Sequence, residues 1–296
     1  MLDYKHIEAL AKVIQEGGFE RAAQALFLTQ SAVSQRVKQL EESSGQILIS
    51  RTTPPQPTAA GRVLLKHYRQ VKLLEEGLSS ELATSSATEM TTLSIGVNAD
   101  SLAHWFLPAI SPLLQKMDLL IDLRVDDQEQ THSYLREGEV VGCVSTEANA
   151  MQGCKVEKLG IMTYRLLATS DFIERWFSDG LSLESSKHAP AVIYNRKDRL
   201  HYRFFQQYLD MTPKTIAAHY IPAPEQFLQV ISAGYGYGMV PDWQGTELVN
   251  SGQLQELLPG AVLQLDLYWH CWNLAARPLQ DFSAQLVIEA RKHLET

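Results

Sequence analysis

The sequence is short of several things that would narrow its chemistry at once. It has three cysteines, Cys143, Cys154 and Cys271, an odd and widely spaced set. That spacing supplies neither a disulfide framework nor a metal motif. No apolar run reaches the roughly 20 residues that cross a bilayer. The opening residues Met1-Leu2-Asp3-Tyr4-Lys5 lack the basic-then-apolar pattern of a secretory signal. A cytoplasmic protein with no cofactor and no membrane partner is expected. HExxH, GxSxG, CxxC and the phosphate-binding glycine loop are all missing. Gly234-Tyr235-Gly236-Tyr237-Gly238 is glycine-rich, but it lacks the Lys-Ser/Thr pair of a phosphate loop and reads as a turn before a strand. His270 sits in an apolar strand and reads as structural, and the nine histidines show no ligand spacing. These absences argue against an enzyme.

What is present is an uneven charge distribution. The net charge is −8, which by itself disfavours nucleic acid. Residues 1–72, however, carry ten Lys and Arg against six Asp and Glu, while residues 73–296 carry sixteen against twenty-eight. A mildly basic head on a strongly acidic body suits a DNA-binding unit carried by a unit with another task.

The head reads as three helices. Ile7, Leu10, Ala11, Val13 and Ile14 form a helical stripe over Tyr4–Gln15. A short alanine-rich helix spans Phe19–Leu26. Thr29, whose hydroxyl can take an orphan N–H, then caps a helix running to about Ser43, with Ala32, Val33, Val37 and Leu40 inward. Gly45 stops it. Ile47–Ile49 and the proline-rich Thr53–Pro57 read as a small β-wing and its turn. Short helix, tight turn and second helix make a helix-turn-helix. The outer face of the second helix offers Gln30, Ser31, Ser34, Gln35 and Lys38. Gln35 suits a bidentate contact with adenine. Thr29, Ser31 and Ser34 suit phosphates or base edges, Arg36 and Lys38 suit phosphates, and Arg51 stands where a wing meets the backbone or minor groove. Polar helix faces are also common on helices that bind nothing, so a solvated helix in a small bundle stays open on composition alone.

From Thr58 a long helix carries Leu64, Tyr68, Val71, Leu74, Leu78 and Leu82 at spacings of three and four, a seam that implies a partner helix. Ser79–Thr92, rich in Ser, Thr and Ala, reads as a hinge. The body alternates strands and helices, which signals an α/β domain with a mostly parallel sheet.

Phe19–Leu26, Thr29–Gln35, Leu40-Glu41, Gly45, Arg51 and Thr58-Ala59-Ala60-Gly61 together resemble the LysR-type transcriptional regulators. Gly18–Ala23, Arg51–Thr58, Val97–Ala103, Gly138–Gly142 and Leu267–His270 are similar to the ArgP branch of that family, lysine- and arginine-responsive regulators also called chromosome initiation inhibitors. The resemblance implies an N-terminal winged helix-turn-helix (residues 1–58), a linker and dimerisation helix (59–83), a hinge (84–92) and a two-lobed α/β effector domain like periplasmic binding proteins (93–296). Lobe I would be 93–163 with 267–296, and lobe II 164–266. It implies a sequence-specific regulator of amino-acid transport or metabolism genes, with double-stranded DNA, a small effector and RNA polymerase as partners. A homotetramer built as a dimer of dimers is also implied. A non-specific architectural DNA-binding protein and a solute-binding module with a vestigial head are the competing readings.

Ligands in such sheets sit beyond the carboxyl ends of strands. Those places hold Asn98-Ala99-Asp100-Ser101, Asp126-Asp127 and Ser145-Thr146, with Glu225 opening a helix in the second lobe. A basic amino acid needs donors for its carboxylate, acceptors for its ammonium and a carboxylate for its side chain. Ser101, Ser145 and Thr146 suit the first need, and Asp100, Asp126, Asp127 and Glu225 the others. Trp105 or Tyr134 would add an aromatic face. Each acid also has a duller explanation: Asp100 as a helix cap, Asp126 and Asp127 as loop acids, Glu225 as a first-turn charge favoured by the helix dipole.

Overall fold

The structure, a computed structural model, describes residues 2–50, 52–82, 90–116, 119–126, 128–210 and 213–295. The head is built from α1 (Tyr4–Glu16), α2 (Phe19–Ala25) and α3 (Gln30–Ser44), followed by a wing of β1 (Ile49–Ser50) paired antiparallel with β2 (Gln56–Pro57). Thr29 accepts the Ala32 amide at 3.2 Å, and this bond starts α3. Gly45 ends α3 in the left-handed conformation. Ile7, Leu10, Val13, Ala22, Ala23, Val33, Val37 and Leu40 close a core of their own, with Leu48 and Ile49 of the wing.

Helix α4 (Ala59–Leu82) begins against the wing. A Cβ on Gly61 would collide with the Leu48 carbonyl oxygen, so only glycine allows this approach. The expected seam along α4 is not uniform. Leu64 and Tyr68 pack on the head's own core and Leu65 is buried there, while Leu74, Leu78 and Leu82 remain exposed. The front half of the seam is therefore covered within the chain, and only the rear half is left for a partner.

The body starts with β3 (Thr91–Asn98), α5 (Ala99–Ser101), a π-helical turn (Leu102–Phe106), α6 (Leu107–Leu114), β4 (Leu119–Asp126), α7 (Gln128–Glu137) and β5 (Gly142–Ser145). The long strand β6 (Cys154–Ala168) leads to α8 (Ser170–Trp176), α9 (Leu183–His188), β7 (Ala191–Ile193), α10 (Leu200–Leu209), β8 (Ala218–Tyr220), α11 (Pro224–Ser232) and β9 (Tyr237–Pro241). Then come α12 (Asp242–Asn250), β10 (Gln255–Glu256), the return strand β11 (Val262–Trp272) and α13 (Arg277–His293).

Among the described residues these strands form one sheet ordered β4-β3-β5-β11-β6-β9-β7-β8, with β10 paired to β6. The expectation of a mostly parallel sheet needs correction. Two parallel wings, β4-β3-β5 and β9-β7-β8, are joined by the antiparallel pair β6 and β11. A strand of 15 residues reaches about 50 Å, enough to run through both wings. One crossing strand and one return strand therefore tie the lobes together and leave a cleft between them.

The linker helix also grips the body. Arg69 Nη1 donates to the Gly138 carbonyl at 2.6 Å, Lys66 Nζ donates to the Arg136 carbonyl at 3.1 Å, and Arg62 pairs with Glu137 at 3.8 Å. Gly138 has φ +77°, and a Cβ there would lie 2.5 Å from the Lys66 Cβ. Both facts require glycine. These basic side chains cap the carbonyl end of α7, where the helix dipole favours cations.

Candidate functional site

The reading surface follows from how α3 is held. Val33, Val37 and Leu40 face the core, which turns Gln30, Ser31, Ser34, Gln35 and Lys38 to solvent, with Thr29 exposed at the cap. Arg36 is half-buried on the flank. Lys38 pairs with Glu42 at 3.5 Å while both stay exposed, a weak pair that a phosphate can displace. Glu41 Oε1 accepts the amides of Leu48 (2.9 Å) and Ile49 (3.4 Å) and so fixes the wing against α3. Sequence reasoning placed Glu41 in a pattern without finding this role. Arg51 lies outside the described residues.

The second site is the inter-lobe cleft, which holds about 560 Å³ of open space, its mouth included. Its first wall is Asn98, Ala99, Asp100, Asp126 and Thr146, from the carboxyl ends of β3, β4 and β5. Its second wall is the segment after β7, with Tyr194, Lys197, Asp198, Arg199, Leu200 and Arg203. Four expected residues thus meet: Asn98, Asp100, Asp126 and Thr146. Ser101 and Ser145 are fully buried and do not line the cleft; Ser145 Oγ accepts the Glu147 amide at 3.2 Å. Glu225 is exposed on α11, away from the cleft lining, so its place in the cage is withdrawn. Asp127 lies outside the described residues. Trp105 is fully buried and is no part of the lining.

Asp100 is not the helix cap. Asn98 holds that position, and its side chain makes no capping bond. The Asn98 Oδ1 is buried and has no hydrogen-bond partner, and the Ser101 hydroxyl just behind it also lacks one. Asp100 accepts the Tyr164 hydroxyl at 2.8 Å. Burial pushes its carboxyl up to about 6, against that hydrogen bond, and the Asp198 charge across the cleft raises it further. Asp198 is held by the amides of Leu200 (2.9 Å) and Tyr194 (3.3 Å), and burial raises its carboxyl too. Asp126 accepts the Tyr134 hydroxyl at 2.7 Å, a bond that pushes the phenol up to about 12. Lys197 Nζ reaches Asp126 Oδ2 from the opposite lobe at 3.8 Å.

The result is a cleft of alternating sign: three carboxylates and the three cations Lys197, Arg199 and Arg203. Such a site suits a zwitterion with a further charge. Sequence reasoning missed the whole second wall. The signal was available: Asn195-Arg196-Lys197-Asp198-Arg199 is dense in charge directly after a strand, the same position that pointed to the first wall.

His270 Nε2 is 2.7 Å from the Glu147 carbonyl oxygen, outside the lining. Among the described residues no group of three or more His, Cys, Asp and Glu is placed to hold a metal ion, and no helix is long and apolar enough to cross a membrane.

Comparison with known proteins identifies the class. Residues 4–62 match the family described as bacterial regulatory helix-turn-helix protein, lysR family, and residues 86–289 match the LysR substrate binding domain. The chain is a helix-turn-helix transcriptional regulator with an effector-type body, not an enzyme, and it belongs to the LysR family. It is 42% identical to the HTH-type transcriptional regulator ArgP of Salmonella typhi, over 99% of this chain and 98% of that protein. It is similar to the crystal structure of ArgP from Mycobacterium tuberculosis, with a TM-score of 0.86, 34% identity and coverage of 100% and 99%. Full-length LysG from Corynebacterium glutamicum with bound effector Arg gives a TM-score of 0.77 and 32% identity, with both chains fully covered.

Proposed function

We propose that the cleft binds a basic amino acid, L-lysine or L-arginine, and that its occupancy sets how the head acts at promoters of amino-acid transport or metabolism genes in the cytoplasm. The observation that carries this reading is the convergence of Asp100 and Asp126 with the buried, unpartnered Asn98 Oδ1 at the ends of adjacent strands. The ligand's ammonium goes to Asn98 and Asp100, its side-chain cation to Asp126, and its carboxylate to Thr146 and the arginines of the second wall. A buried charge without such partners costs several kcal/mol, so a neutral ligand leaves the site unsatisfied. LysG, at 32% identity, carries arginine as effector, which supports the same ligand class.

DNA contact falls to Thr29, Gln30, Ser31, Ser34, Gln35, Arg36 and Lys38, together with Arg51. The exposed leucines of α4 support pairing of two heads on a two-fold-related site, within a dimer or a dimer of dimers. Calorimetric titration of the purified protein with L-lysine, L-arginine and L-norleucine tests the ligand. Binding of a basic amino acid with no heat from norleucine is expected; no binding of either basic amino acid overturns the assignment.

A further inference from the structure

The inference concerns Lys197 and rests on the ligand class just proposed. Lys197 is itself an ammonium on a four-carbon chain, the same group that free lysine would bring to Asp126. It already lies beside that carboxylate, 3.8 Å away, and it comes from the opposite lobe. The two partners differ in freedom. Asp126 is mostly covered and fixed by the Tyr134 hydroxyl at 2.7 Å, whereas the Lys197 side chain is 53% exposed and free to swing into solvent. An ion pair of that exposure is weak and easily exchanged.

We propose that Lys197 is a tethered competitor for the cation subsite: its ammonium holds Asp126 until the cationic end of free lysine or arginine displaces it. The displacement removes a direct electrostatic tie between the lobes and replaces it with the ligand. A ligand lacking a cationic end has nothing to exchange for the Lys197–Asp126 pair. Apparent affinity for the true ligand is lowered by the competing ion pair, which keeps the sensor off at low ligand concentration.

The test uses the full-length protein and its Lys197→Met variant, which keeps an unbranched four-atom stem and removes the terminal ammonium. Each is titrated calorimetrically with L-lysine, L-arginine and L-norleucine. Lys197→Met is expected to bind lysine and arginine about two- to fivefold more tightly, the range set by a weak exposed pair, with no tightening for norleucine. Lys197→Arg, which restores a tethered cation, is expected to return affinity to within about twofold of the parent. Unchanged or weaker binding of lysine and arginine by Lys197→Met overturns the proposal, as does failure of Lys197→Arg to restore the parent value. Binding by Lys197→Met alone supports it. Binding by neither protein overturns the ligand assignment and this inference with it, whereas binding by the parent without the gain overturns this inference only.

Discussion

Replacing Asp100 by asparagine should stabilise the body at neutral pH, by an amount that depends on pH in a defined way. The Asp100 carboxyl sits up to about 6 in the folded protein, against an ordinary 3.8, with burial the largest cause. The sign follows from proton counting. Between those two values the folded protein binds more protons than the unfolded chain, so stability falls as pH rises through that window. Roughly two pKa units correspond to about 3 kcal/mol lost above pH 6, an upper bound because part of Asp100 faces the cleft. The asparagine side chain would carry no charge and still accept the Tyr164 hydroxyl now bonded at 2.8 Å. A gain of ~1–3 kcal/mol at pH 7.5 is expected, roughly 2–10 °C in Tm for a body of this size. At pH 5 the gain should shrink to about half, and below about pH 3 it should vanish. The assay is thermal unfolding followed by tryptophan fluorescence. All five tryptophans, Trp105, Trp176, Trp243, Trp269 and Trp272, lie in the body, so the head does not contribute. A variant no more stable than the parent at pH 7.5, or a gain that does not shrink at pH 5, refutes the reasoning.

Three further perturbations address the head and linker. Gly61→Ala places a methyl group against the Leu48 carbonyl and should destabilise the head by ~1–3 kcal/mol, seen as a lower first transition in circular dichroism with the tryptophan transition unmoved. Lys38→Ala should weaken binding to all DNA sequences alike and reduce the slope of log K against log salt by about 0.9; an unchanged slope means that Lys38 touches no phosphate. Leu78→Asp puts a charge on the exposed rear of α4 and should lower the molar mass in light scattering by dissociating paired heads. Mass equal to that of the parent at micromolar concentration would show that this face is not a pairing surface.

How legible each part was depends on how local its causes are. The three head helices announce themselves because caps and apolar spacing act within one or two turns, as at Thr29 and Gly45. Only the end of β6, Tyr164–Ala168, is legible as a strand in the sequence; from Cys154 to Lys158 only Cys154 and Val156 are even half-buried, so the apolar alternation that marks a strand is thin where it begins. Helices α9 and α12 leave as little mark, because each buries a single small residue, Ser186 and Gly245, which carries no hydrophobic signal. In the cleft, Asn98, Asp100, Asp126 and Thr146 were readable because they end strands that the sequence showed plainly. The second wall needs the crossing of β6 and β11 to bring Lys197 and Asp198 opposite them, and crossing strands leave no local mark. Arg62, Lys66 and Arg69, counted at first as basic excess for DNA, are engaged on α7 by the same long-range docking.

That docking makes α7 a rod with a terminal at each end. Its ten residues span about 15 Å. One end begins two residues after Asp126, whose carboxylate its own Tyr134 holds. The other delivers the carbonyls of Arg136 and Gly138 to Lys66 and Arg69 of α4. Helix α7 therefore touches both the cleft, through Tyr134 and Asp126, and the linker helix, through its terminal carbonyls, by a route separate from the covalent connection between α4 and β3.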